Sequence, residues 1–307
     1  MSTATAAELE SVRAGRLSTA GHLIPAYFRL TKPRIVLLLL ITTVPSMVLA
    51  ERGIPSLWLI AATLIGGTMA AGGANAINQY VDRDIDEVMS RTRRRPIPAG
   101  VIEPRSALAF GIALGLAGFI WMHVLVNLPA AALSGSALLF YVLVYSLWLK
   151  RSSPQNIVIG GAAGAAPALV GWAAVTGRVS LPAVVLFAIV FVWTPPHFWA
   201  LALRYRRDYQ AAGVPMLPVV SGRETTIRHI VAYSVALVAT SLLLHPVARM
   251  GPLYLVSALV LGAVFVARAI RVRAGTAAAI GLFRYSILYL ALLFLSVAVD
   301  TLLRFGL

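Results

Sequence analysis

The 307-residue sequence predicts an all-α polytopic membrane protein, and three observations carry that class. Hydrophobic residues make up 59% of the chain and charged residues only 12%, where a soluble domain is about 25% charged. Mean hydropathy is +0.84. The apolar residues fall in runs of about 20, the length an α-helix needs to cross a bilayer, and the charges lie in the gaps between them. A membrane β-barrel would alternate apolar and polar residues; runs such as Ile35 to Ile41 do not. Disorder is excluded because it requires a charge-rich, apolar-poor chain. The absence of Cys excludes disulfides, thiolate nucleophiles, Cys-ligated zinc and iron–sulfur clusters. The net charge of +15 is not a nucleic-acid footprint, since base readout needs a soluble basic surface.

The elements follow in order. Residues 1–25 hold Glu8, Glu10, Arg13 and Arg16 around no apolar core, so they read as a cytoplasmic tail and not a signal peptide. Residues 26–307 form one transmembrane domain with nine predicted spans. These are Arg34–Ala50 (the shortest), Trp58–Tyr80, Ala107–Asn127, Pro129–Leu149, Asn156–Thr176, Pro182–Leu203, Ile227–Pro246, Pro252–Ile270 and Ala277–Leu303. Orientation follows from Lys and Arg. Of the 26, 22 fall on the amino tail, the 2–3, 4–5, 6–7 and 8–9 connections and the adjoining helix ends; Arg52, Arg178, Arg249 and Arg304 fall on the other side. A miscounted span would flip every later loop and destroy this asymmetry. The amino terminus is therefore expected in the cytoplasm and the carboxyl terminus outside, across a bacterial inner membrane.

The two longest cytoplasmic connections, 82–106 and 204–226, each carry a charged helix end followed by a proline pair (Pro96 and Pro98, with Gly100; Pro215 and Pro218, with Gly222). They follow spans 2 and 6, which suggests a parallel repeat over residues 30–150 and 155–273, with the ninth span extra.

Asp82, Asp84, Asp86 and Glu87 place four of the 11 acids within six residues. Asn78, Asp82 and Asp86 are spaced i, i+4, i+8, so helical continuation of span 2 stacks them on one face. Oxygen-bearing side chains in a row repel one another unless a cation sits among them. All-oxygen ligands select a hard ion, and Mg²⁺ takes one or two carboxylates and shares the rest with substrate phosphates. Arg91, Arg93, Arg94 and Arg95 just downstream suit a metal–phosphate ligand; a solvated acidic helix end neutralised by these arginines is the plain alternative. His197 follows Pro195-Pro196, a pair expected to break or bend span 6, and broken membrane helices line cavities. A polar residue at depth is a candidate for function, and an interior hydrogen-bonded His is its structural alternative. Trp193, Phe198 and Trp199 flank the pair. Lys150 and Arg151, like Lys32-Pro33-Arg34, read either as interface anchors or, with Asn156 and Gly160, Gly161 and Gly164 behind Lys150, as groups close to a ligand. The loop arginines equally suit lipid headgroups. His123 and His245 read as structural, and Asp300 as the i+4 partner of Arg304.

At these residues the chain resembles the UbiA superfamily of intramembrane prenyltransferases, whose first motif, Asn-x-x-x-Asp-x-x-x-Asp, matches Asn78, Asp82 and Asp86. It is similar to the branch that farnesylates heme. Leu30 to Arg34, Met89 with Arg91-Thr92 and Arg95-Pro96, and Leu149-Lys150-Arg151 match that branch, as do Asn156 to Gly161 and Gly171 to Gly177. The string Trp193-Thr194-Pro195-Pro196-His197-Phe198-Trp199 and the stretch from Asp208 to Val219 complete the set, which runs from about residue 30 to 222. The resemblance implies a nine-helix bundle around a cavity open to the cytoplasmic face. It implies Mg²⁺-dependent transfer of a farnesyl group from farnesyl diphosphate to a vinyl group of heme b, with water addition, giving heme O. In that scheme Asn78, Asp82 and Asp86 hold the metal, Asp208 supports it, and Lys32, Arg91, Arg95, Lys150 and Arg151 serve the diphosphate. Asn156, Tyr145 and Trp193 join the substrate-binding set, His197 faces the acceptor, and Arg204 or Arg207 meets heme propionates. Many members carry a second acidic motif; here only Asp208 stands in that stretch, with Ala212 four residues on. Implied partners are the bilayer and heme A synthase or oxidase assembly factors. A quinone-precursor or chlorophyll-type acceptor is the alternative within the superfamily. A secondary transporter would need ionisable groups near the midplane, which apart from His197 are nearly missing, and an assembly protein would need no Asn/Asp ladder.

Overall fold

The computed structural model describes residues 23–306, without the side chains of Arg34, Ile35, Leu37, Leu38 and Leu39. The predicted tail over 1–25 lies outside the described residues except for 23–25, which open a helical segment over 23–30. Every regular element among the described residues is helical: α1 (Pro33–Glu51), α2 (Leu57–Val81), α3 (Pro104–Leu125), α4 (Leu128–Ser152), α5 (Asn156–Thr176), α6 (Leu181–Arg204), α7 (Gly222–Ala248), α8 (Pro252–Arg271) and α9 (Thr276–Phe305), with short helices Arg83–Val88, Arg206–Ala211 and Leu217–Val220 in the two long connections. Eight of these, α2 to α9, are long and apolar enough to cross a membrane. The predicted first span lies on α1, whose described apolar stretch is Leu40–Glu51. Large apolar side chains stand exposed on the outer faces (Leu116, Ile120, Val124 and Leu143 among them), as a lipid-facing surface requires and a water-facing one does not. The chain is a multi-pass membrane protein.

The helix starts are written locally. Ser56 caps α2 by accepting the Leu59 N–H at 3.2 Å, and Asn127 caps α4 by accepting that of Ala130 at 2.9 Å. Pro occupies the first turn of α3, α4, α6 and α8, where its missing N–H costs no helical bond. Two packing units result. Helices α2 and α3 meet through facing glycines, a close approach that places backbone on backbone. Helix α6 lies against α5, α7 and α9 and buries Ile189, Trp193 and Trp199 at the centre of the larger core.

The break expected in span 6, though not the bend offered beside it, and the Asp300–Arg304 pair are corrected. The Pro195-Pro196 pair does not break span 6, since α6 is helical from Leu181 to Arg204. The pair deletes the two N–H donors that would meet the Phe191 and Val192 carbonyls; beside it the Thr194 hydroxyl donates to the Val190 carbonyl at 2.8 Å, and the indole of Trp193 donates to the Ser286 carbonyl of α9 at 2.8 Å, which tethers this stretch to its neighbour. Packing against α5, α7 and α9 holds the helix through the stretch where its own ladder is cut. Asp300 does not pair with Arg304: its carboxylate accepts the backbone N–H groups of Gly251 and Tyr254, at 2.5 and 3.1 Å, and so caps the start of α8. Arg304 donates instead to the Arg249 carbonyl.

Candidate active site

The inner end of α2 builds the site. The Asn75 and Gln79 amides donate to the carbonyls of Thr31 and Leu30, at 3.1 and 2.8 Å, and tie the turn before α1 against α2. That turn holds Lys32 in a left-handed conformation (φ 52°), a strain of about 1–3 kcal/mol for a residue with a Cβ. It brings the Lys32 ammonium to Asn78 Oδ1 at 2.9 Å. Helix α2 stops at Val81, yet Asp82 N–H bonds to the Asn78 carbonyl and Asp86 N–H to that of Asp82, so i to i+4 spacing survives the junction. Asn78, Asp82 and Asp86 are all buried, at 1–2% exposure, and none is turned toward solvent or lipid.

Each rung of this ladder has its own cation. Lys32 serves Asn78; Lys150 Nζ donates to Asp82 Oδ2 at 2.5 Å; Arg95 Nη1 donates to Asp86 Oδ2 at 2.7 Å. Asn78 Nδ2 donates to Asp82 Oδ2 at 2.7 Å and to the Ser146 hydroxyl at 2.9 Å. Asp82 Oδ1 is buried and has no hydrogen-bond partner. Three cations against two carboxylates leave the cluster one positive charge in excess. Burial, and then repulsion from Arg95 and Lys150, pushes the Lys32 ammonium well below the ordinary lysine range, against the attraction of Asp82 and Asp86. Asp84 points elsewhere: Arg151 grips it through two bonds of 2.7 Å and donates to the Val81 carbonyl at 2.8 Å. This pairing brings the Asp84 carboxyl down to about 2.

The two long connections meet here. Ser90 Oγ donates to Asp208 Oδ2 at 2.5 Å, the Arg91 guanidinium lies 5.7 Å from the Tyr205 ring centre and bonds Tyr209, and Ile85 and Met89 pack with Tyr209, Val214 and Met216. Burial raises the Tyr209 hydroxyl above its ordinary value, against the pull of Arg91 and Arg95. A cavity of about 390 Å³ opens along this seam, between Asp84, Ile85, Val88 and Arg151 on one side and Ala211 to Val214 on the other. Its polar wall is the Asp84–Arg151 pair rather than the ladder itself.

Other predicted residues sit apart. Asp208 touches Ser90 and not a rung of the ladder. His197 is buried between α6 and α9: its Nδ1 lies 2.6 Å from the Ser286 hydroxyl, and its ring stacks between Trp193 and Phe283, with centroids at 4.2 and 4.6 Å. Trp193 shares that anchor. Asn156 is fully buried, donates to the Ser153 carbonyl at 2.7 Å, and leaves Oδ1 without a partner. Tyr145 stacks on Tyr141 at 5.4 Å and packs over Gly160, where a Cβ would run into its ring. Arg204 and Arg207 are exposed and form no ion pair among the described residues. Sequence reading missed Ser146, Ser90, Tyr209, Asn75 and Gln79. Asn75 and Gln79 were legible as polar residues beside Asn78 at the end of an apolar span; Ser146 carried no signal.

The donor set fits one kind of ion. No group of three or more His, Cys, Asp or Glu side chains is placed to hold a metal among the described residues. The carboxylates of Asp82, with its unpartnered Oδ1, and Asp86, together with the Asn78 amide, are the hard oxygen donors that suit Mg²⁺.

Comparison with known proteins agrees with this arrangement. Residues 39–293 match the UbiA prenyltransferase family. The chain is 58% identical over 281 residues to a protoheme IX farnesyltransferase of Frankia alni, covering 90% of this chain and 97% of that one. Its fold is similar to that of a digeranylgeranylglyceryl phosphate synthase (TM-score 0.75, 18% identity, 91% of this chain and 98% of that one). It is also similar to a UbiA homologue from Archaeoglobus fulgidus bound to GPP and Mg²⁺ (TM-score 0.61, 18% identity, 89% and 99%). The chain belongs to the UbiA prenyltransferase family.

Proposed function

We propose that the chain transfers the farnesyl group of farnesyl diphosphate to a vinyl group of heme b, with addition of water, to give heme O. The observation that carries the reaction class is the buried Asn78–Asp82–Asp86 ladder with its surplus of cations. The acceptor rests on the Frankia alni relative, named a protoheme IX farnesyltransferase.

Asp82 and Asp86, with Asn78, hold Mg²⁺; when bound, the ion neutralises the diphosphate and stabilises it as a leaving group. A homologue that binds GPP with Mg²⁺ supports this assignment. Lys32, Lys150 and Arg95, with Arg91, are the cations placed to bind phosphate oxygens of the diphosphate. The C1–O bond of farnesyl diphosphate breaks with its electron pair on the diphosphate. The vinyl terminal carbon bonds to C1, and the cation left on the inner vinyl carbon takes a water oxygen and releases a proton. Aromatic faces such as Tyr141 and Tyr145, and exclusion of bulk water, protect the allylic cation meanwhile. Asp208 acts by holding the seam at Ser90, His197 shapes the apolar side, and Arg204 and Arg207 are free for heme propionates. The site faces the cytoplasm of a bacterial inner membrane, where heme A synthase or oxidase assembly factors would receive the product.

The test combines purified protein, heme b, farnesyl diphosphate and Mg²⁺, with mass spectrometry of the product. The expected result is a mass gain of farnesyl plus water on heme, lost with EDTA and restored by Mg²⁺. An unmodified heme alongside a prenylated phenolic acid would assign a quinone-type acceptor instead, and turnover indifferent to chelation would remove the metal from the scheme.

A further inference from the structure

The end of the bundle remote from the ladder holds a second concentration of unpaired cations. A cavity of about 240 Å³ lies there between Leu49 and Arg52 after α1, Trp172 of α5, Pro182 of α6, and Val247, Ala248 and Arg249 closing α7. Arg52 and Arg249 are the residues that terminate α1 and α7, and both are left-handed, with φ 59° and 54°. Such a position normally carries Gly or Asn, and an arginine there is strained by about 1–3 kcal/mol. Two strained arginines on one cavity are a cost that helix termination alone does not explain. Arg304 joins them, bonded to the Arg249 carbonyl, and the guanidiniums of Arg304 and Arg52 lie 5.6 and 5.1 Å from the same Phe305 ring centre.

Among the described residues no carboxylate is ion-paired with this group. Every salt bridge among those residues lies elsewhere, Glu51 forms none, and Asp300 is occupied by the N–H groups of Gly251 and Tyr254. Buried polar atoms point the same way, since each one left unmatched in a native fold calls for a partner. Apart from Trp199 Nε1, those without a partner fall into two sets. Gln79 Oε1, Asp82 Oδ1 and Asn156 Oδ1 belong to the inner ends of α2 and α5. Trp172 Nε1, Ser180 Oγ and His245 Nδ1 belong to the opposite end of the bundle, and of these Trp172 lines the cavity while the other two do not. Trp172 is itself nine-tenths buried.

We infer that this cavity binds a phosphate group, and that its occupant is the headgroup of an anionic phospholipid. Guanidiniums match phosphate oxygens two at a time. The apolar rim of Leu49, Pro182 and Val247, at the end of membrane-length helices, suits the glycerol and first acyl carbons more than a free ion.

The test uses full-length protein in a zwitterionic detergent, titrated with phosphatidylglycerol, phosphatidylcholine or inorganic phosphate, with adducts measured by native mass spectrometry. Arg52→Gly/Arg249→Gly removes both guanidiniums and supplies the residue these backbone positions favour, so the variant should melt no lower than the parent and retain prenyl transfer. Phosphatidylglycerol should be retained about tenfold more than phosphatidylcholine, as one or two charge-assisted bonds provide, and the double variant should lose that preference. Trp172→Phe should weaken it a few-fold. An inorganic-phosphate adduct that needs both arginines, without lipid preference, would keep the phosphate site but overturn the lipid assignment. Equal retention of both lipids by parent and variant, with no phosphate adduct, would overturn the site. Loss of prenyl transfer leaves this readout intact, so failure of the proposed reaction and failure of this site are separable.

Discussion

Asp82→Asn should lower prenyl transfer by about 10³-fold, because a metal centre supplies several kcal/mol of charge stabilisation and each factor of ten corresponds to about 1.4 kcal/mol. The substitution keeps the side chain's shape and removes only its charge. Lys150 is 14% exposed and retains a route to water, and an amide oxygen can still accept its proton, so the variant should insert and fold. What it loses is the anionic oxygen set: the Oδ2 held by Lys150 and Asn78, and the Oδ1 that the protein leaves free. Asp84→Asn is the matched control two residues away. Its side chain is 62% exposed and engaged only by Arg151 and local backbone; such surface pairs contribute about 0–1 kcal/mol. Initial rates at saturating Mg²⁺ should therefore fall steeply for Asp82→Asn and only a few-fold for Asp84→Asn. Comparable losses would mean that the acidic stretch acts through its overall charge, and retention of more than a tenth of the rate by Asp82→Asn would end its role in holding metal.

That contrast was only partly legible in the sequence. Spacing of i, i+4, i+8 separates Asn78, Asp82 and Asp86 from Asp84 because helical geometry acts over one turn, and the fold keeps that geometry although α2 ends at Val81. The cations were visible as residue types but not as partners. Lys32 and Asn78 are 46 residues apart, and Lys150 and Asp82 are 68; only tertiary packing decides which ammonium meets which oxygen. Most span boundaries were legible too, down to both ends of α5, where Asn156 begins the helix and Gly177, at φ 66°, ends it.

Two features were misread or unseen for identifiable reasons. The Pro195-Pro196 pair reads locally as a break because each proline removes an N–H, but α6 is packed on several sides and tied to α9 through Trp193, contacts that a local rule does not count. Residues Phe140 to Leu149 of α4 are wound as π-helix. Hydropathy is blind to that, since α and π windings bury the same composition and differ only in which side chains share a face. The winding has a consequence at the site. Ser146 donates to the carbonyl of Tyr141, five residues back, while accepting from Asn78, so the wide turns deliver a hydroxyl to the top rung of the ladder.

The placement of that ladder depends on how closely α2 can approach α3, and Gly73→Ala should be the most damaging one-carbon addition along this stretch of α2. A Cβ at Gly73 would lie 2.6 Å from the Gly111 carbonyl oxygen and 2.7 Å from the Gly115 nitrogen. Both are backbone atoms, so no rotamer can yield and the helices themselves must separate. Overpacking of this kind costs about 1–3 kcal/mol. Helix geometry gives the effect its functional reach. Asn78 lies five residues along the same helix from Gly73, a rise of about 7.5 Å, and a shift of about 1 Å at a reacting centre can cost on the order of 10²-fold in rate. Two neighbours calibrate the result. At Gly66 the added carbon meets side chains rather than backbone, Met122 at 2.5 Å and Trp121 at 2.9 Å, and at Gly67 nothing lies within 4 Å. Melting temperature in detergent should thus fall most for Gly73→Ala, less for Gly66→Ala, and hold or rise for Gly67→Ala, where a half-buried helical glycine with open space beside it is replaced by a better helix former. Turnover should follow the same order. If Gly73→Ala melted with the parent and kept its rate, α2 and α3 would not be in backbone contact, and the close approach that sets the height of Asn78, Asp82 and Asp86 would have to be abandoned.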